Sequence, residues 1–360
     1  MTDPLAPPRR ALLRTALAAT ALSVPFLSAT SGPARAVART PDIGALNHQS
    51  AVRTLTLDDV RLTYVVDGAL ELDPEGFLPA VPAAYWREHP EALTASGRIA
   101  ASVGGVLVER GRRKLLIDAG LGGNVLAPEL GVSRGGALLS TLRALRVSPR
   151  AVDTVAFTHL HTDHTGLGFV RHRDGMRKAF PRADYLVADA EWGPFWRGEI
   201  KVGAPSRDAF MVPMSRVLRR FDDGEEVWPG VTALVTPGHS PGHTTYAIST
   251  SGGRRILVLG DAFHTPAQLT HPEWASGPDV DIDGVLRARR RLLDHLLAPR
   301  THAFAFHFGD QTFGRVVRDG TGAAGWRPEP ARPLLPHPVR LPAPPAGLSP
   351  RPASAAARCC

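Results

Sequence analysis

Four short apolar segments of this sequence are each followed, within four residues, by a histidine or an aspartate. They are predicted strands, because they are short runs of apolar residues bounded by turn-forming glycine, proline or polar residues. Loops that follow strands are where a rigid scaffold presents functional groups. Leucines at helical spacing complete a β-then-α order that occurs twice, which predicts an α/β fold built in layers. The four segments are 152–157, 231–235, 255–259 and 303–306.

The densest polar cluster is the run HLHTDH at residues 159–164. Its imidazole and carboxylate groups would each cost about 2 kcal/mol or more to bury unpaired. They are therefore unsuited to a core, although a solvated loop could carry them by chance. His159 and His161 are two residues apart and point the same way from an extended turn, so both can reach one ion. Asp163 and His164 point onward, towards a second ion.

Three further candidate ligands follow the other strands. A donor set of imidazole nitrogen and carboxylate oxygen without a thiolate suits Zn²⁺ best and Mn²⁺ or Fe next. Seven donors are too many for one four-coordinate ion but suffice for two ions if one carboxylate bridges them. Two ions about 3.5–4 Å apart would hold a bridging hydroxide that is nucleophilic at neutral pH. The candidate ligands are His159, His161, Asp163, His164, His239, Asp261 and His307.

The motif at 159–164, the PGHSPGH turn around His239, and Asp261 and His307 after strands resemble the metallo-β-lactamase-fold hydrolases over about residues 50–326. This resemblance implies a four-layer αβ/βα sandwich with the site at one edge, between two β-sheets. It also implies a division of the ligands between two metal ions. His159, His161 and His239 would hold the first ion, Asp163, His164 and His307 would hold the second, and Asp261 would bridge them.

Departures from the patterns of individual subfamilies narrow the chemistry. Asp261 stands where one class of dizinc β-lactamases uses a thiolate, and His161 stands where flavodiiron proteins place Glu. In one lactonase subgroup a Tyr stands at the position of His264. A histidine at this position is closer to the pattern of methyl-parathion-hydrolase-like phosphotriesterases. The remaining relatives are acyl-homoserine lactonases, such phosphotriesterases and glyoxalase-type thioesterases.

The resulting hypothesis is a dinuclear metal-dependent hydrolase in which a metal-bridging hydroxide attacks a small-molecule lactone, ester or phosphotriester. Asp163 and Asp261 would orient and hold the metal centre. His264 would either donate a hydrogen bond or proton to the leaving oxygen or only orient a ligand. The alternatives are a mononuclear iron dioxygenase of persulfides, a member that binds without turnover, and a β-lactamase.

The ends of the chain differ from its middle. Arg9 and Arg10, an apolar stretch at about 15–30 and small residues at 34 and 36 resemble a cleavable twin-arginine export signal. That stretch is interrupted by Pro25 and is shorter than the about 20 residues that span a bilayer. We therefore expect export without stable membrane association after cleavage, and the sequence leaves the oligomeric state open. The expected parts are an export signal at 1–36, a single catalytic domain at 37–326 and a Pro/Arg-rich disordered tail at 327–360.

The net charge of +8 is concentrated in these two ends. Residues 1–36 hold four Arg and one acid, and residues 327–360 hold five Arg and one acid, so the region between them is close to neutral. A surface that binds nucleic acid needs clustered Lys and Arg on the folded domain. The charge distribution therefore argues against nucleic acid as a partner.

Several other side chains have predicted roles in packing or in lining a pocket. Helical spacing directs Val285 and Leu292 inward and leaves four nearby arginines on a solvated face. Five aromatic residues either wall an apolar pocket or pack in the core, and the 170–230 region could form a lid. Three histidines outside the ligand set are predicted to be structural, and the two cysteines to be idle. The four arginines are Arg287, Arg289, Arg290 and Arg291, and the five aromatic residues are Trp192, Phe195, Trp196, Phe263 and Trp274. The three histidines are His243, His271 and His302, and the two cysteines are Cys359 and Cys360.

Overall fold

The structure is a computed structural model that describes residues 51–333 except Asp310. The predicted export signal at 1–36 and the segment 334–360, with both cysteines, lie outside the described residues. Within the described part of the chain, no helix has the length and apolar character needed to cross a bilayer.

The described residues form strands and helices in alternating groups. The strands are β1 (Arg53–Leu57), β2 (Val60–Leu72), β3 (Ile99–Arg110), β4 (Arg113–Ile117), β5 (Gly131–Arg134), β6 (Thr154–Ala156), β7 (Phe169–His172), β8 (Gly175–Lys178), β9 (Asp184–Ala188), β10 (Leu218–Phe221), β11 (Glu226–Trp228), β12 (Val231–Val235), β13 (Thr244–Ser249), β14 (Arg255–Val258), β15 (Thr301–Phe304), β16 (Phe313–Arg318), β17 (Ala324–Pro328) and β18 (Arg332–Pro333). The α-helices are α1 (Pro74–Phe77), α2 (Ala83–Glu88), α3 (Leu138–Ala144), α4 (Thr162–Thr165), α5 (Asp189–Arg197), α6 (Val212–Ser215), α7 (Ala267–Thr270) and α8 (Ile282–Leu297). Short 3₁₀ helices lie at Pro90–Ala92 and Pro149–Ala151, and a π-helical turn at Arg207–Met211.

Two sheets carry the architecture. The first has the strand order β10-β9-β6-β4-β3-β2-β1-β18, with β5 paired to β2. Its β4, β6, β9 and β10 run parallel, whereas β1 to β4 pair as antiparallel neighbours. The second sheet contains β11 to β17 in sequence order, with one parallel pair between β14 and β15. Strands β7 and β8 form a separate hairpin.

The elements form where the local sequence favours them. Strands β3 and β4 make an antiparallel hairpin, and its turn needs Gly111, whose φ of +59° is in the left-handed region that favours glycine. Helix α8 begins after Asp281, whose carboxylate accepts a hydrogen bond from the Gly284 backbone N–H at 3.0 Å.

Three apolar layers hold the sheets and helices together. The central layer joins side chains of both sheets, such as Tyr64 and Val106 from the first with Tyr246 and Phe304 from the second. An outer layer packs α3 and α5 on the first sheet, and another packs α8 on the second. The order helix, sheet, sheet, helix confirms the predicted α/β class and is consistent with the αβ/βα sandwich.

Two predictions about solvent-facing segments are wrong. Arg289 is buried, whereas Arg287, Arg290 and Arg291 are exposed as expected. The Arg289 guanidinium donates hydrogen bonds to the backbone carbonyls of Ala262, Pro272 and Trp274, which compensates for its burial.

The second error concerns the start of the predicted disordered tail. Residues 327 and 328 complete β17, and β18 at Arg332–Pro333 pairs with β1. Pairing of β17 with β16 in the second sheet and of β18 with β1 in the first sheet gives these segments strand partners that composition alone could not reveal.

Candidate metal centre

The predicted ligands lie in loops at one edge of the two sheets. His159 follows β6, His239 follows β12, Asp261 follows β14 and His307 follows β15. Asp163 and His164 lie on the single turn of α4, directly after His161. The structure thus brings all seven side chains to one place, although they are scattered between positions 159 and 307.

The ligand atoms fall into two groups, and within each group they lie within 4.8 Å of one another. Asp261 contacts both groups through different oxygens. Its Oδ1 is 3.2 Å from Nε2 of His164 and also of His307, whereas its Oδ2 is 3.5 Å from Nε2 of His239. A carboxylate with its oxygens divided in this way can bridge two cations. The first ligand group is His159, His161 and His239, and the second is Asp163, His164, Asp261 and His307.

Buried nitrogen atoms without hydrogen bonds show that these residues fit metal ions. Nε2 of His159 and Nε2 of His161 are buried and have no hydrogen-bond partner among the described residues. A buried polar atom without a partner requires an explanation, for which a bound ion is an ordinary one. The donor set of imidazoles and carboxylates is the one that Zn²⁺ takes in proteins.

The other ring nitrogen of four ligands is held by a neighbouring group. Such partners fix the orientation of an imidazole and raise its basicity as a ligand. Among the partners, Asp118 at the end of β4 followed an apolar strand and could have been predicted from that position, whereas Asp279 carried no such signal. The four contacts are His159 Nδ1 with Thr158 Oγ1 at 3.0 Å, His164 Nδ1 with Asp118 Oδ2 at 2.8 Å, His239 Nδ1 with Asp279 Oδ1 at 2.7 Å, and His307 Nδ1 with the Ser102 carbonyl at 3.0 Å.

The protonation of the two groups differs because their surroundings differ. Burial holds the pKa values of His159 and His161 well below the ordinary value, which keeps these imidazoles neutral and able to bind a cation. Burial also acts on His164, but the carboxylates of Asp261, Asp163 and Asp118 outweigh it and raise its pKa. These carboxylates therefore favour the protonated, positively charged form of the His164 imidazole when no cation is bound.

His264 also reaches the centre. Its Nε2 lies 3.2 Å from Asp261 Oδ2, and its ring packs edge-on against Phe77 with centroids 5.0 Å apart. Burial lowers the pKa of His264, and its Nδ1 has no hydrogen-bond partner among the described residues. His239, Asp261 and His264 form a third group of possible ligands, so His264 is a further candidate for holding a metal ion.

The three histidines that were predicted to be structural make packing or hydrogen-bond contacts. His243 is buried, accepts a hydrogen bond from the Asp261 backbone N–H at 2.8 Å, and has its pKa lowered to about 3 by burial. His271 stacks on Trp274, with ring centroids 4.0 Å apart. His302 Nδ1 lies 2.8 Å from Glu329 Oε2. His243 therefore holds the backbone of Asp261 in place, which is a structural role.

An apolar pocket opens over the ligands, but its walls are not the predicted aromatic residues. Trp192 and Phe195 pack in the outer layer on the first sheet, and Phe263 packs beneath Arg289. Buried side chains of the 170–230 region pack in that layer and in the central layer, and Val202 and Gly203 of this region line the pocket. The periodicity of the sequence could not predict these pocket walls, because they come from separate segments of the chain. The apolar lining includes Leu70, Leu72, Phe77, Leu126, Leu130, Val202 and Pro278.

Both the sequence and the fold resemble those of known proteins. The sequence model of the metallo-beta-lactamase superfamily matches residues 105–306. The chain is 25% identical to an N-acyl homoserine lactonase of Bacillus cereus over 183 residues, which covers 50% of this chain and 65% of the lactonase. It is 29% identical to the N-acyl homoserine lactonase AttM of Agrobacterium fabrum over 134 residues, covering 34% of this chain and 46% of AttM. The chain thus spans less than two thirds of the length of these relatives.

Solved structures resemble this one over most of the chain. The dizinc quorum-quenching lactonase AidC, in complex with a product, superposes with a TM-score of 0.66 at 22% identity and covers 79% of this chain and 99% of its own. The hydrolase AbOPH of the beta-lactamase superfamily superposes with a TM-score of 0.64 at 24% identity and covers 78% of this chain and 98% of its own. At these identities the likeness concerns the fold.

Proposed function

This chain belongs to the metallo-beta-lactamase superfamily, and we propose that it is a dinuclear metal-dependent hydrolase of small, uncharged lactones, esters or phosphotriesters. The observation that carries the proposal is the position of Asp261, whose two oxygens face two separate groups of ligand atoms. A single-ion site has no need of a carboxylate divided in this way. The similarity to lactonases supports the same reaction class.

Each ligand group would hold one divalent ion, with Asp261 between them. Two such ions would lower the pKa of a water molecule and polarise the oxygen that gains charge in the reaction. The chain itself holds the ligands in place. Asp118 orients His164, Asp279 orients His239, and the Ser102 carbonyl orients His307, so that Nε2 of each ring faces the centre.

His264 is the candidate for contact with the leaving group. Because burial lowers its pKa, the ring is neutral near pH 7 and carries one proton. A proton held at Nε2 would face Asp261 Oδ2 at 3.2 Å, and Asp261 lines the pocket. From there, Nε2–H would donate a hydrogen bond to the oxygen that leaves.

The pocket favours an uncharged substrate with an apolar group. Leucine, phenylalanine and valine side chains form its walls, and the charged side chains known to line it, Asp163 and Asp261, belong to the ligand set. Away from the proposed ions, an anionic group of the substrate would be desolvated against apolar walls without a cationic partner, which is unfavourable. Apolar groups gain about 0.8 kcal/mol per buried methylene.

The test is an assay of metal-stripped protein reloaded with Zn²⁺ or Mn²⁺ against a chromogenic lactone, an aryl ester and a phosphotriester. We expect two ions per chain, turnover of at least one class, and a rate at least about 100-fold lower in His159→Ala. Within a series of acyl esters, kcat/KM should rise about fourfold per methylene until the pocket is filled. His172→Ala, in the exposed β7–β8 hairpin, is the matched control.

Two results would overturn the proposal. Equal slow turnover by the wild-type protein and His159→Ala would show that the ligand groups do not catalyse hydrolysis. One iron per chain with oxygen uptake on a persulfide would instead establish a dioxygenase. A preference for substrates that carry a carboxylate would contradict only the proposed preference for uncharged substrates, and not the proposed hydrolase activity.

We also propose that the protein is exported through the twin-arginine-like segment at residues 1–36. Exchange of Arg9 and Arg10 for lysine should retain the protein in the cytoplasmic fraction, and unchanged export would refute this proposal.

A further inference from the structure

Glu191 is a buried carboxylate outside the ligand set. It lies in the first turn of α5, and its side chain has no exposure to solvent. Burial of a carboxylate is unfavourable unless hydrogen bonds compensate for the lost water. The groups that supply these hydrogen bonds to Glu191 all belong to loops that carry metal ligands.

Three donors from two ligand loops converge on Glu191. Oε1 accepts a hydrogen bond from the Leu160 backbone N–H at 2.9 Å, and Leu160 lies between His159 and His161. Oε2 accepts hydrogen bonds from Ser240 Oγ at 2.8 Å and from the Gly242 N–H at 2.7 Å, in the turn that presents His239. One carboxylate therefore ties together the loops that contain the whole first ligand group.

The packing around Glu191 leaves little freedom to these loops. A Cβ atom at Gly242 would lie 2.3 Å from the Glu191 backbone nitrogen, so the turn approaches the helix as closely as only glycine permits. One helical turn after Glu191, the Phe195 ring packs edge-on against His161 with centroids 5.8 Å apart. Helix α5 thus supports the first ligand group through both the backbone and a ligand side chain.

The described residues that hold the second ligand group make no hydrogen bond to Glu191. His164 is held by Asp118 and His307 by the Ser102 carbonyl. Ser102 is in turn hydrogen-bonded to Tyr64, whose hydroxyl lies 2.9 Å from Ser102 Oγ. Glu191 is hydrogen-bonded to Leu160, Ser240 and Gly242 in the loops of the first ligand group, so a change at Glu191 acts on that group.

We propose that Glu191 is a positioning residue that sets the spacing between His239 and the His159–His161 pair, and thereby the affinity of the first metal ion relative to the second. The inference rests on the proposed two-ion site. Its readout is metal binding rather than turnover, so a protein that binds two ions without hydrolysing anything would refute the function and leave the role of Glu191 intact.

The substitution Glu191→Gln tests this role. A glutamine has one acceptor oxygen and one NH₂ group, so either the Leu160 or the Gly242 N–H must face a donor. A buried N–H without an acceptor is costly, and the loop that carries it should shift. We expect the first ion to bind about 10- to 100-fold more weakly and the second to bind as in the wild type.

The measurement is a competitive chelator titration of the full-length zinc protein, together with the absorption spectrum of the cobalt-substituted protein. A role in folding alone would lower the stability of the metal-free protein and weaken both ions equally, so the ratio of the two dissociation constants separates the explanations. Glu199→Gln is the matched control, because Glu199 is exposed and pairs with Arg197.

A second variant keeps the test decisive if Glu191→Gln does not fold. Ser240→Ala removes one donor and leaves both backbone N–H groups with their acceptors, so it should weaken the first ion by about two- to tenfold. Unchanged binding, or equal weakening of both ions, would overturn the proposal. A wild-type protein that binds no transition metal would overturn it together with the proposed function.

Discussion

Nε2 of His264 lies 3.2 Å from Oδ2 of Asp261, three residues earlier in the chain. This contact places an imidazole beside the carboxylate that faces both ligand groups. The ring is also stacked on His307, with centroids 5.8 Å apart and an interplanar angle of 12°. The contacts with Asp261 and His307 thus fix the orientation of the His264 ring, as the proposed role in contacting the leaving group requires.

We predict that His264→Phe lowers kcat by about 100-fold or more while the protein retains two metal ions. The physical reason is that phenylalanine preserves the packing against Phe77 but has no proton to donate to the leaving oxygen. Steady-state kinetics and metal analysis of the same sample provide the measurement, with His172→Phe as the control. A variant that loses metal but keeps kcat when reloaded would show that His264 only supports a ligand.

Metal removal should lower the stability of the folded protein. Ions that bind the native ligand groups and not the unfolded chain stabilise the fold by about 2.7 kcal/mol at 100 times the dissociation constant. Thermal unfolding with and without Zn²⁺ should therefore show a rise in Tm on metal addition. Mg²⁺ is the control, because it prefers oxygen ligands to imidazole, and an equal rise with Mg²⁺ would contradict a specific site.

Acid should weaken the contact between the two halves of the fold at Asp58. This residue, in the turn between β1 and β2, accepts hydrogen bonds from Arg254 and Thr250 in the turn between β13 and β14. These contacts lower the pKa of Asp58 from 3.8 to about 2. Since the folded pKa is depressed, the stabilisation is present above pH 3.8 and is lost as the pH falls towards 2.

The measurement for Asp58 is urea unfolding between pH 5 and pH 2. The unfolding free energy of the wild type should fall more steeply in this range than that of Asp58→Asn, which has no proton to gain at this position. Parallel profiles of the two proteins would show that Asp58 is not a source of the acid sensitivity.

The buried Arg289 should be irreplaceable by lysine. Its guanidinium N–H groups donate hydrogen bonds to the backbone carbonyls of Ala262, Pro272 and Trp274, and burial lowers the pKa of Arg289 to about 10. A lysine ammonium cannot reproduce this geometry, so Arg289→Lys should reduce the unfolding free energy by about 2 kcal/mol. Arg290→Lys, on the exposed face, should change it by less than about 0.5 kcal/mol. Equal effects in chemical denaturation would contradict a specific role for Arg289.

The ligand set was predictable because each of its members belongs to a local pattern. A short apolar strand followed by histidine or aspartate is visible in the sequence around His159, Asp261 and His307, and it also predicted the α/β class. The structure brings these residues together at one edge of the two sheets, which is the place that the family resemblance implied.

The pocket walls and the buried charges could not be predicted in the same way. Leu70, Phe77 and Leu130 line the pocket because distant segments pack over the ligands, and Glu191 is buried because two loops close on it. Helical periodicity even placed Arg289 on the wrong side, in solvent. A local pattern reports which residues can bind a metal, whereas burial and contact depend on chain segments that meet only after folding.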